Sequence, residues 1–139
     1  MGRRVSGAPD RVVLDTVALI FWTLRPESLS ATARTTIARA LSRDACYASA
    51  ISLWEIALKT SRGTLQIGLP IAEYSRRVGL IAGFKVLDVD VATWLRNVDL
   101  DWSHRDPADR TIVATAEMHE AALVTSDSTI GAFYSRVVW

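Results

Sequence analysis

Short apolar segments, several of them rich in β-branched residues, recur along this chain, and each is followed by a stretch whose apolar residues return at helical spacing. That alternation leaves few folds open. Parallel strands need a crossover long enough to hold a helix, and helices interposed between short buried strands supply it. The expected architecture is an α/β sandwich: a mostly parallel central sheet of four to five short strands flanked by helices.

Strands are expected at Arg11 to Leu14, Ala45 to Ser49, Phe84 to Leu87, Ala122 to Val124 and Val137 to Trp139. Helices are expected from Val17, from Ser30 to about Arg43, from Ser52 to about Arg62, from Pro70 to about Ile81, from Asp90 to Val98, from Asp106-Pro107 to about His119, and from Asp127 to Phe133. Their starts carry physical signals. Ser52 and Glu55 stand at capping-box spacing, and Asp106-Pro107-Ala108-Asp109 sets an N-cap, a first-turn proline and an acid in helix-starting order. Gly63 and Gly83 are the expected stops. Residues 1–10 are expected to form a flexible N-terminal segment and residues 11–139 a single domain, which suits a length of 139 residues.

Composition narrows the setting more than the chemistry. The one cysteine, Cys46, cannot form an internal disulfide or a zinc site, which favours a reducing, cytoplasmic environment. With 16 basic and 15 acidic side chains, the net charge of +1 argues against a polycationic nucleic-acid coat, though not against a nucleic-acid enzyme. The start Met1-Gly2-Arg3-Arg4-Val5-Ser6 loosely fits myristoylation and signal-peptide patterns. Asp15 interrupts the apolar run that follows and no small-residue cleavage site appears, so neither is expected. No apolar stretch is long enough to span a membrane.

Ligands of open α/β sheets gather at the carboxyl ends of the strands. The expected elements bring mainly acids there. Asp15 ends the first strand, Glu55 lies early in the helix after the second, Asp127 follows the fourth, and Asp109, with Asp106 beside it, opens the helix before that strand. Taken singly, Glu55, Asp106, Asp109 and Asp127 also suit helix N-termini, where the dipole and capping favour acids by about 0.3–1 kcal/mol. Asp15 differs, because a carboxylate between Leu14 and an apolar run must be paired or desolvated. Several carboxylates held together repel unless a cation lies between them, and all-oxygen ligands select Mg2+ or Mn2+. Such a site activates water and neutralises charge on a phosphate, which points to a phosphodiesterase or nuclease.

Other chemistries lack their residues. The chain has no P-loop, no dinucleotide G-x-G-x-x-G and no G-x-S-x-G elbow. The first strand ends Asp15-Thr16-Val17, without the second acid of a phosphatase that uses two carboxylates there. His104 and His119 are too isolated to read as metal ligands, and His104 reads as a surface-loop residue, with substrate contact as the alternative.

The segments Val13-Leu14-Asp15-Thr16, Ser49-Ala50-Ile51-Ser52-Leu53-Trp54-Glu55-Ile56-Ala57-Leu58-Lys59, His104-Arg105-Asp106-Pro107-Ala108-Asp109-Arg110 and Leu123-Val124-Thr125-Ser126-Asp127 appear in this order. In that order they resemble PIN-domain ribonucleases, and more closely the VapC-type toxins of toxin–antitoxin pairs. The resemblance covers nearly the whole chain after the first ten residues. It implies a PIN-like sandwich and a metal site formed by Asp15, Glu55, Asp109 and Asp127, the acids that the sheet-edge reasoning also selects. It further implies an RNA substrate cut by a metal-activated water, a homodimer and a cognate antitoxin protein. Two departures stand out: Val17 where relatives often have His, and Ala108 where Phe is common. A non-catalytic PIN-like binding module and a metal-dependent phosphatase are the alternatives.

Around these acids, Asp106 is expected to cap its helix or support the site from outside. Thr16 and Ser126 are expected to orient neighbouring ligands or to make local turn bonds. Lys59, Arg62, Arg105 and Arg110 are candidates for steering phosphate, with solvated helix faces as the alternative. Trp22, Trp94 and Trp139 read as core or dimer surface, and Trp54 as a packing residue beside Glu55.

Overall fold

Val12, Val13 and Leu14 have no exposed surface, and this wholly buried run forms the middle strand of the sheet. The computed structural model describes residues 10–139. The expected N-terminal segment, with its targeting patterns, lies outside the described residues apart from Asp10. The strands are β1 (Val12–Leu14), β2 (Cys46–Ser49), β3 (Phe84–Leu87), β4 (Ala122–Val124) and β5 (Val137–Val138). All pairs are parallel, in the order β3-β2-β1-β4-β5, and Val12 registers with Cys46 on one side and Ala122 on the other. A strand buried on both faces has no need of apolar–polar alternation, which is why β1 reads as a continuous apolar run.

The helices are α1 (Thr16–Leu24), α2 (Ala31–Ser42), α3 (Ala50–Ser61), α4 (Ile71–Val78), α5 (Val91–Asp99), α6 (Pro107–Met118) and α7 (Ser128–Phe133), and a short 3-10 turn at Pro26–Ser28 follows α1. Side chains alternate across β1 and feed two cores. Val12 and Leu14 pack with Leu19, Ile37, Ile56, Tyr74 and Phe84, whereas Val13 joins Ile112, Val113, Leu123, Ile130 and Tyr134. Each fully buried aliphatic side chain in these layers contributes about 1.5–3 kcal/mol. Burial pushes the Cys46 thiol up to about 12, so it packs as a small apolar group.

The expected elements are all present, with two boundaries corrected. Helix α3 starts three residues earlier than the capping box suggests: β2 runs directly into it, and the Ser49 hydroxyl accepts from the Ile51 N–H at 3.1 Å. Ser52 is therefore inside the first turn, and Glu55 is a turn further along. Helix α4 ends at Val78, with Gly79 as its C-cap, so Gly83 is not its stop. Gly83 has another reason to be glycine. Its φ is +83°, and a Cβ there would lie 2.1 Å from the Leu41 carbonyl oxygen, where the start of β3 passes the end of α2.

Candidate active site

From β1 the chain moves outward through β2 and β3, then returns to the other flank of β1 with β4 and β5. The switch lies between β1 and β4, where an open α/β sheet leaves a crevice at its carboxyl edge. Asp15 and Asp127 stand at the ends of these two strands. Both are helix caps, so the turn from strand to helix fixes their side chains. Asp15 Oδ1 accepts from the Ala18 N–H at 2.8 Å, and Asp127 Oδ1 accepts from the N–H groups of Thr129 at 2.8 Å and Ile130 at 3.4 Å. Asp109 arrives from the first turn of α6, whose cap is Asp106, accepting the Asp109 N–H at 2.9 Å.

One hydroxyl ties the first two acids together. Thr125 Oγ1 donates to Asp15 Oδ2 at 2.5 Å and accepts the Asp127 N–H at 3.0 Å. Asp15 is only 6% exposed, and its pKa is pushed up from 3.8 to about 6. Burial is the main cause; the negative charges of Asp109 and Asp127 add to it, while the Thr125 and Ala18 hydrogen bonds oppose it. The Asp109 carboxyl is also raised, first by burial and then by Asp106 and Asp127, against the lowering hydrogen bond of His104. Three carboxylates from three elements thus lie close enough to perturb one another. Among the described residues, no three His, Cys, Asp or Glu side chains close into a ready-made cage.

Glu55 is less engaged. It shares the inward face of α3 with Ser52, whose hydroxyl oxygen accepts from Thr16 Oγ1 at 2.9 Å, and this buried bond ties α3 to the start of α1 beside Asp15. Its own carboxylate lies 3.7 Å from the Lys59 ammonium, which directs Lys59 to this acid. Thr16 therefore links helices and does not orient a carboxylate directly. Ser126 is exposed, and the orienting hydroxyl belongs to its neighbour Thr125.

Two further expectations change. The Arg110 guanidinium donates to the carbonyls of Asn97, Leu100, Trp102 and His104 at 2.6–3.1 Å, so its fork is taken up by backbone and is not presented to phosphate. Arg105 is exposed on the same loop. Trp54 is 51% exposed, so it does not pack under Glu55; it lines a cleft of about 600 Å³ with Ile51, Val89, Trp94 and Pro107. Of the two departures from the family pattern, Ala108 is buried in the α6 core and Val17 is largely exposed beside Asp15 and Thr16.

His104 is the residue that sequence reasoning undervalued. Its Nε2 lies 2.8 Å from Asp109 Oδ2, so the surface-loop reading is replaced by direct contact with a site acid.

Comparison with known proteins places this arrangement. A family model described as the PIN domain matches residues 12–134. Ribonuclease VapC22 of Mycobacterium tuberculosis is 31% identical over 123 residues, covering 84% of this chain and 86% of that protein. Among solved structures, DNA-bound VapBC from Salmonella typhimurium superposes with a TM-score of 0.64 at 20% identity, covering 91% of this chain and 94% of that one. A toxin–antitoxin complex from Klebsiella pneumoniae gives 0.62 at 19% identity, covering 92% and 96%. These two structures share the fold.

Proposed function

The chain belongs to the PIN-domain family, and from that premise we propose that it is a divalent-metal-dependent endoribonuclease, the toxin of a toxin–antitoxin pair. One observation carries the reading: Asp15, Asp109 and Asp127 come from three elements close enough that the charges of Asp109 and Asp127 add to burial in holding the Asp15 carboxyl at about 6. A cost of that kind is expected where a cation completes the site. The donors are all oxygen, which suits Mg2+ or Mn2+ and not a soft metal. Asp15, Asp109 and Asp127 would hold one or two ions, and Glu55 would join them by giving up Lys59. Bound there, the metal would lower the pKa of a water and offset the charge that develops on the phosphodiester.

The protein's own groups supply the rest. Thr125 and the Ala18 N–H fix both oxygens of Asp15, so the carboxylate is oriented before any ligand arrives. Asp106 holds the first turn of α6 and so the position of Asp109. Arg105, exposed next to His104, is a candidate contact for an RNA phosphate.

Two apolar surfaces support the partners. On α5, Val91 (73% exposed), Leu95 (62%) and Val98 (75%) form an outward stripe with Trp94, opposite the buried Thr93 and Asn97. An exposed apolar stripe along one helix suits a two-fold homodimer. Between α1 and α4 lies a groove of about 380 Å³ lined by Trp22, Leu24, Leu69, Tyr74, Val78 and Ile81. A concave apolar groove suits an antitoxin segment. Among the described residues no helix is long and apolar enough to cross a membrane. The single cysteine, Cys46, is buried and free, which suits the proposed cytoplasmic setting.

The test is induced expression of the wild type beside Asp15→Ala. Growth arrest with discrete RNA cleavage only when the carboxylate is intact supports the toxin reading, and equal arrest by both proteins refutes it. Hydrolysis of a chromogenic phosphate ester without RNA cleavage would favour a phosphatase.

A further inference from the structure

The loop between α5 and α6 carries Leu100, Trp102 and His104 past the site, and it is held from both sides. From α6, Arg110 grips the backbone carbonyls of Trp102 at 2.6 Å and His104 at 2.9 Å. From α7, Phe133 stacks on Trp102, with ring centres 4.7 Å apart and planes 9° from parallel. The His104 ring rests against the same Trp102 ring, with centres 4.8 Å apart and planes at 42°. The first turn of α6 carries Asp109 and Asp127 caps α7, so this strap braces the two elements that deliver these acids.

We propose that His104 is the positioning residue through which this strap sets Asp109 for metal binding. Its Nε2 meets Asp109 Oδ2 at 2.8 Å. An ionised carboxylate only accepts hydrogen bonds, so Nε2 carries the proton and donates. That bond holds one carboxylate oxygen and restricts rotation of the group, and it leaves Oδ1 without this restraint. Carboxylates that bind metals depend on such outer hydrogen bonds, and losing one typically weakens metal affinity 10–100-fold. A histidine held only by an exposed loop would give little orientation. Here the Arg110 fork and the Trp102–Phe133 stack hold the ring before any ion arrives.

The inference rests on the metal-site reading, and the experiment separates the two. Mn2+ binding is measured by calorimetry or by loss of the free-ion electron paramagnetic resonance signal. The proteins compared are the wild type, Asp109→Ala, His104→Ala and His104→Gln, whose amide nitrogen can replace Nε2. The expected result is tight binding by the wild type, loss in Asp109→Ala, affinity at least about tenfold weaker in His104→Ala, and substantial recovery in His104→Gln. Cleavage by His104→Ala should return towards the wild-type maximum as Mn2+ is raised to saturation. Wild-type affinity in His104→Ala, or a Gln variant as weak as the Ala variant, overturns the role of His104 and leaves the metal site standing. Absence of Mn2+ binding by the wild type, or wild-type affinity in Asp109→Ala, overturns both.

Discussion

Replacing Asp15 with Asn should stabilise the metal-free protein at neutral and alkaline pH while removing its activity. The Asp15 carboxyl ionises near 3.8 in an open chain and near about 6 in the fold, so the folded state binds this proton more tightly than the unfolded state does. Stability from this group is therefore complete below 3.8 and is lost as pH rises through about 6. An interval of about two pH units corresponds to about 3 kcal/mol lost to a buried charge. Asn carries no charge and keeps an oxygen for the Ala18 N–H, but its amide faces the Thr125 hydroxyl, which must then accept where it now donates. Allowing about 1–1.5 kcal/mol for that exchange leaves a net gain of about 1.5–2 kcal/mol above about pH 7. Urea denaturation of both proteins in chelator at about pH 4 and pH 8 measures it. The Asn variant should be the more stable at the higher pH, and its advantage should vanish or reverse at the lower. A stability difference that does not change with pH, or an Asn variant less stable at pH 8, would refute the claim that Asp15 is held at a cost in the metal-free fold.

Thr125→Val removes the hydroxyl that lowers the Asp15 pKa, so the acid limb of the pH–activity profile should move to higher pH, with about 1.5–3 kcal/mol lost from stability; an unmoved limb contradicts this. Leu95→Glu with Val98→Glu places charges on the exposed α5 stripe and should convert the proposed dimer to a monomer in light scattering with the fold intact; an unchanged mass refutes this stripe as a dimer interface. Gly83→Ala must fit a Cβ 2.1 Å from the Leu41 carbonyl oxygen at φ +83°, and should cost more than about 1 kcal/mol in thermal unfolding.

Much of this arrangement is legible in the sequence because strand ends and helix caps coincide. Asp15, Asp106 and Asp127 cap α1, α6 and α7, so the local rule that starts each helix also delivers or supports acids at the same sheet edge. Ser49 and Ser52 are both cap-forming residues, and only the pairing of β2 with β3 through Ser49 decides which one ends the strand. Thr125 was obscured by its type: at the end of an apolar strand it reads as a β-branched strand residue, although a hydroxyl there needs a partner. Helical spacing places Trp54 nearly opposite the buried Ser52 and Ile56 on α3, so its exposure follows from that spacing. His104 and Arg110 lay beyond such reasoning. Their roles depend on how the α5–α6 loop folds back over the first turn of α6, and no local periodicity encodes that.

Asp15, Asp109 and Asp127 are proposed to form a metal-dependent nuclease site. Its most direct test is cleavage of RNA by the purified wild type after exhaustive chelation, with and without restored Mg2+ or Mn2+. The expected result is no cleavage in chelator, recovery on adding either ion, and no recovery in Asp15→Ala, Asp109→Ala or Asp127→Ala. Cleavage that persists in chelator, or full recovery in any of the three variants, would contradict it.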